Sequence, residues 1–280
     1  MTHLATVGLP LRMIRPTRKR QAIVSTIAPE ESLLLVLGIE SSTPQTSVAI
    51  GSEQGVVASA LVARGPTSEG PQSRSGASSN EFLLPAIRFC LEGAGLGFRN
   101  LGGIAVSLGP GLYTGMRVGI ATAKALAQAL SVPIVGMASL DLLAYEVRYS
   151  PRPICAVLDG RRKEVFHAFY RSSPGGIQRM THYAVERAEQ LANGIASKPG
   201  EILLVGSGAL LYRDIFEELG SSVEIGTMGH AFPNANALVE LALPRLFRED
   251  FNSLDELKPL YLRQSAKRIQ WARIREQRSA

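Results

Sequence analysis

Residues 33–63 read LLLVLGIESSTPQTSVAIGSEQGVVASALVA, three apolar runs separated by two short polar ones. The pattern predicts strands over 33–39, 47–50 and 56–63, because apolar stretches are broken by turn residues. The breaks are Glu40-Ser41-Ser42-Thr43-Pro44-Gln45 and Gly51-Ser52-Glu53-Gln54-Gly55. Strands joined this tightly form a meander. Residues 64–80 are rich in Gly, Ser and Pro and predict a mobile loop.

Past that loop the period changes. Phe82, Leu83, Ala86, Ile87 and Cys90 recur at helical spacing, and Gly93, Gly95 and Gly97 end the run. A strand over 103–108, a glycine loop, a helix over 115–130, an apolar stretch at 134–136 and a helix capped by Ser139 follow. The 115–130 helix is built on Gly119, Ala121, Ala123, Ala125, Ala127 and Ala129, which lets another element approach closely. This first unit, 33–150, reads βββαβα. A similar order recurs over 151–262: strands at 154–158, 164–170, 177–183 and 201–205, and helices at 185–196 and 210–219. The fold class is therefore α/β, two packed units without a detectable sequence period. An amphipathic helix over 236–247 is expected to pack back on the first unit.

The chain has 280 residues, 45% hydrophobic and 19% charged, the profile of a globular protein with one or two cores. No apolar run approaches the length of a membrane span. Cys90 and Cys155 sit in apolar runs and read as buried thiols of a reducing compartment. The net charge of +6 is carried by the ends. Residues 1–32 hold five basic and two acidic groups, and residues 258–280 seven basic and one acidic, so the body is net −3. Residues 1–32 read as a disordered basic extension, an upstream start or a transit-like segment, and 263–280 as a basic tail.

Several segments could carry chemistry. Gly109-Pro110-Gly111-Leu112-Tyr113-Thr114-Gly115-Met116-Arg117-Val118-Gly119 lies between a strand and a helix. Glycine permits close backbone approach, and the N–H groups of a helix start favour an anion. Gly109, Gly111, Thr114 and Gly115 are thus candidates for a nucleotide phosphate, while tight helix packing accounts for the same glycines. The segment is neither a P-loop nor a dinucleotide fingerprint. In the 40–45 turn, hydroxyls and Glu40 could line a phosphate or divalent ion, or simply satisfy backbone groups. Asp159 and Glu164 flank Gly160-Arg161-Arg162-Lys163, as cleft acids or as partners of that basic turn. His3, His167, His182 and His230 offer no metal-ligand spacing. Neither cysteine stands where a thiolate would be stabilised. No catalytic set and no metal site emerges. Trp271 among Lys267, Arg268, Arg273 and Arg275 suits RNA stacking or a docked tail.

Four collinear segments resemble the bacterial TsaB (YeaZ-type) family: residues 37–50, the 109–119 loop, Asp159-Gly160-Arg161-Arg162-Lys163-Glu164-Val165-Phe166, and Pro259-Leu260-Tyr261-Leu262-Arg263. The third is similar to the family's Asp-Ala-Arg-x-x-Glu-Val-Tyr, with Gly160 and Phe166 as departures, and the fourth to Pro-x-Tyr-Leu-Arg. Ser79-Asn80-Glu81 stands where many members read His-Ser-Glu, and the 1–32 extension and 64–80 loop are further departures. The resemblance, spanning 33–271, implies a duplicated actin/Hsp70-like (ASKHA) fold. It also implies a cytoplasmic, non-catalytic paralogue of the transferase TsaD in forming N6-threonylcarbamoyladenosine at tRNA position 37. The transferase's His-x-x-x-His metal pair has no counterpart here. The implied partners are a TsaD-like subunit and a TsaE-like ATPase, with tRNA held indirectly, a homodimer in their absence, and no membrane. No cofactor of the chain's own is implied, although nucleotide could sit at the complex interface. Phe82 and Ala86 of the first helix and Ala123 and Ala127 of the second are the expected interface residues. The alternative is an independent ATP-dependent small-molecule kinase or phosphatase of the same superfamily, working through Glu40 or Asp159. A metallopeptidase lacks its histidines.

Overall fold

The computed structural model describes residues 33–63 and 79–263. Val36–Glu40 (β1), Gln45–Ser52 (β2) and Gly55–Ala63 (β3) form the meander. Leu83–Gly93 (α1), Gly103–Ser107 (β4), Tyr113–Leu130 (α2), Ile134–Met137 (β5) and Ser139–Glu146 (α3) complete the first lobe. The sheet runs β3-β2-β1-β4-β5, with β2 antiparallel to both neighbours and β1, β4 and β5 parallel.

The second lobe holds Ile154–Arg161 (β6), Glu164–Ser173 (β7), Gly176–Arg179 (β8), Ala184–Arg187 (β9) and Ala188–Ala196 (α4). Ile202–Val205 (β10), Ser207–Leu211 (α5), Arg213–Glu217 (α6) and Val223–Ile225 (β11) follow. Its sheet runs β11-β10-β6-β7-β8, with β9 also on β7. Traced from β8 and leaving aside β9, this is the same third-second-first-fourth-fifth path as in the first sheet. The chain is a duplicated actin-like α/β fold.

Strand alternation distributes β1 between two cores. Leu37 and Ile39 meet Ile87, Ile120, Ala123 and Ala127 beneath α1 and α2. Val36 joins Ala49, Ala105, Leu238 and Val239 beneath Ala235–Phe247 (α7). A Cβ on Gly38 would stand 2.9 Å from both the Ala235 carbonyl oxygen and Val239 Cγ2, so α7 lies directly on the sheet. Asn234 Oδ1 starts this helix by accepting from Asn236 N at 2.9 Å and Ala237 N at 3.2 Å. α3 serves both lobes. Leu142 and Tyr145 enter the α7 core, whereas Leu140, Leu143 and Ala144 pack with Ile154, Ala156 and Phe166 of the second lobe.

Tertiary pairing overrides local pattern in several places. Residues 185–187, which read as the start of a helix, belong to β9 and pair with β7. The strand expected over 177–183 ends at Arg179. The helix expected over 210–219 begins at Ser207 and breaks at Tyr212. Ser139 is inside α3 rather than its cap; its hydroxyl donates to the Pro110 carbonyl at 2.6 Å. Both cysteines are buried and free. Among the described residues no helix is long and apolar enough to cross a membrane. The 1–32 extension, most of the 64–80 loop, and the tail with Trp271 lie outside the described residues.

Candidate functional site

The duplication brings two equivalent turns, β1–β2 and β6–β7, to one cleft at the carboxyl ends of their strands, where open α/β sheets meet ligands. The cleft measures about 190 Å³ and is lined by Ser42, Thr43, Gly111, Asp159, Arg161 and Ser207 among others.

The glycine loop is clamped onto the β1–β2 turn. Leu112 N donates to the Ser42 carbonyl at 2.6 Å, and a Cβ on Gly111 would fall 2.0 Å from that same oxygen. Ser41 Oγ donates to the Gly115 carbonyl at 2.9 Å, and a Cβ on Gly119 would stand 2.2 Å from Ser41 Oγ. Gly109 has φ +89°, with Met116 packed against the place a side chain would take. Of the four phosphate candidates, Gly111 lines the cleft, Gly109 and Gly115 are buried in loop packing, and Thr114 is exposed on the first turn of α2. Close backbone approach therefore accounts for these glycines.

Glu40 is fully buried. Its Oε1 accepts from Ser42 N at 2.5 Å, while Oε2 has no partner among the described residues. Burial raises its pKa, opposed by the nearby Ser107 and Ser42 hydroxyls and the Ser42 N–H. Burial also pushes Glu146 up to about 8; the Asn234 N–H opposes this and the neighbouring Glu40 carboxylate adds to it. Glu40 is thus sealed from the cleft, while Glu146 is half-buried and lies near enough to feel the Glu40 charge. Glu146 went unnoticed in the sequence because a Glu at a helix end looks solvated.

Asp159 Oδ1 accepts from Arg161 N at 2.8 Å, and its own N–H donates to Ser207 Oγ at 3.2 Å. Arg161 pairs with Glu164 across the hairpin, leaving Arg162 and Lys163 as a two-residue turn. Arg161, Arg162 and Lys163 have φ of +65°, +58° and +64°. Such turns match strand twist but favour Asn and Gly, and left-handed backbone costs other residues about 1–2 kcal/mol each. This strain sits at the cleft mouth.

The Pro259-Leu260-Tyr261-Leu262-Arg263 signature is a strap across both lobes. Leu260 N donates to the Leu108 carbonyl at 2.8 Å. Tyr261 stacks on Tyr113 with centroids 5.6 Å apart and accepts from Arg117 Nε at 3.0 Å. Arg263 reaches the second lobe, where it pairs with Glu164 and donates to the Arg161 carbonyl at 3.2 Å.

The expected interface residues divide. Phe82 is exposed, but Ala86, Ala123 and Ala127 are 7%, 0% and 2% exposed and belong to the core beneath α1 and α2. Helical spacing turns these small side chains toward the sheet so that the helices can approach it. The outward positions are Leu84 and Phe89 of α1 and Ala121, Ala125 and Ala129 of α2. Among the described residues no three His, Cys, Asp or Glu side chains gather as a metal requires.

Two α/β lobes with matching sheet paths, facing a cleft at their strand ends, define a duplicated actin-like fold. The chain belongs to the TsaD family, whose model, tRNA N6-adenosine threonylcarbamoyltransferase, matches residues 73–271. Within it the likeness is to the TsaB (YeaZ) branch. The Bacillus subtilis "tRNA threonylcarbamoyladenosine biosynthesis protein TsaB" is 28% identical over 189 residues, 67% of this chain and 81% of the relative. The Escherichia coli protein of the same name is 25% identical over 195 residues, 69% and 82% of the two chains. A crystal structure from Pseudomonas aeruginosa, described as similar to the peptidase YeaZ, matches with a TM-score of 0.66 at 25% identity. The match covers 82% of this chain and 99% of that one.

Proposed function

We propose that this chain is a non-catalytic subunit of an assembly that forms N6-threonylcarbamoyladenosine at position 37 of tRNA in the cytoplasm. It docks on a TsaD-like transferase through the outer face of its first lobe. The observation that carries this reading is an uncovered apolar face where α1 lies beside β3: Phe82, Leu84, Phe89, Val57 and Leu61 are 43–66% exposed. Several large apolar side chains on adjoining elements mark an interaction surface. The same face serves a homodimer when the partner is absent. A TsaE-like ATPase joins the pair, and tRNA is held through the complex.

The non-catalytic assignment is supported by the missing His-x-x-x-His pair, the sealed Glu40 and a cleft of about 190 Å³, below the range of about 300–1,000 Å³ common for ligand pockets. Nucleotide at the complex interface remains part of the proposal. The test is co-elution with a TsaD-like partner and a reconstituted modification assay. Leu84→Glu with Phe89→Glu is expected to abolish co-elution while leaving thermal melting unchanged. Full modification with this chain omitted, or modification by this chain alone, overturns the reading.

A further inference from the structure

A second cavity, of about 940 Å³, shares no lining residue with the cleft. Its walls come from the end of β5, α3, the β7–β8 turn, α7 and the strap. Asp141 is the one acid in the lining and is already engaged. It accepts from Tyr170 Oη at 2.8 Å and Tyr183 Oη at 2.7 Å, and Arg179, lying over the Tyr183 ring at 4.0 Å, approaches it to 3.8 Å. Arg245 is also engaged, with Asp250 at 2.9 Å and the Gly136 carbonyl at 3.1 Å. Arg248 and Lys258 are not. Both line the cavity, both are exposed, and neither forms an ion pair among the described residues.

Tyr261 supplies the third element. It lines the cavity and is 47% exposed, yet stacking on Tyr113 and the Arg117 hydrogen bond hold its ring in place. A ring already fixed loses little freedom when a planar ligand stacks on it. Met137, Leu241 and Leu260 give the remaining wall an apolar character. A fixed aromatic face, an apolar wall and two uncommitted cations suit a planar body carrying an anionic group.

We propose that this cavity binds a nucleotide, with its base against Tyr261 and its phosphate on Arg248 and Lys258. The nucleotide is either a free mononucleotide or one unit of an RNA strand; the chemistry of recognition is the same. Stacking of bases on aromatic side chains with cations on the phosphates is the usual basis of sequence-tolerant binding. The inference is independent of the docking face.

The test is calorimetric titration of the full chain with AMP and with a single-stranded RNA oligonucleotide. AMP is expected to bind with a Kd of about 1 mM or tighter. Arg248→Glu with Lys258→Glu should weaken it at least about tenfold, a difference of about 1.4 kcal/mol. Tyr261→Leu should weaken it severalfold, and thermal melting confirms that both variants fold. Leu211→Trp, which crowds the separate cleft, should leave AMP affinity unchanged. An oligonucleotide that binds more tightly and is displaced by AMP identifies an RNA strand as the source; AMP binding without oligonucleotide binding identifies a free nucleotide. No AMP binding, affinity unmoved by the double charge reversal, or affinity lost in Leu211→Trp overturns the proposal.

Discussion

Replacing Glu146 by Gln tests the raised titration of this half-buried carboxyl. Its Oε1 accepts from Asn234 N at 3.0 Å, an acceptor that the amide retains, so the substitution removes a titrating proton with little change of shape. In the folded chain Glu146 titrates near 8, against an ordinary value of 4.5. Between those values the folded state holds a proton that the unfolded chain has released, so stability falls as pH rises. The contribution is fully present below pH 4.5 and is lost progressively up to about pH 8. Each unit corresponds to about 1.4 kcal/mol, and allowing for the partial solvent access of Glu146 the loss between pH 5 and pH 8 is about 2–4 kcal/mol. Urea unfolding across that interval should show a wild-type midpoint that declines with pH and a Glu146→Gln midpoint that declines less. The two midpoints lie close near pH 5, and the wild type falls progressively below the variant as pH rises. Parallel curves would mean that Glu146 is as ionised in the folded chain as in the unfolded one, and the raised titration would be refuted.

Three other outcomes follow from packing. Ala123→Leu overfills the core beneath α2 and should cost about 1–3 kcal/mol in chemical denaturation, whereas Ala125→Leu, on the outward face, should leave stability within about 0.5 kcal/mol. Lys163→Gly relieves one left-handed residue of the β6–β7 turn and should stabilise by about 1 kcal/mol, read as a higher urea midpoint. Arg263→Ala breaks a half-exposed ion pair worth at most about 1 kcal/mol, so melting should barely move while amide exchange over 258–263 quickens.

The meander was legible because its turns announce themselves: polar 40–45 and glycine-bounded 51–55 separate apolar runs too short to be helices. The small-residue pattern of α2 was equally visible, but its direction was not. Alanine at positions 123 and 127 suits close approach to a sheet as well as to a partner, and only the position of β1 beneath the helix decides between them. The β9 strand was hidden because the sequence records no pairing partner, and β7 recruits it from another part of the chain. The setting of Glu146 was hidden for a related reason: α3 carries it into a contact with Asn234, 88 positions away. The glycine loop was located correctly, yet its chemistry depends on the Ser42 carbonyl that faces Gly111, which no local spacing encodes.

The strap alters what the cleft can do. In a two-lobed protein the lobes rock about their junction, yet here Leu260 and Tyr261 grip one lobe and Arg263 the other. Any opening has to unlatch residues 260–263 from at least one of them. A segment remote in sequence from the cleft-lining turns thereby joins α3 in tying the halves together, and whatever grasps residues 259–263 acts on that tie.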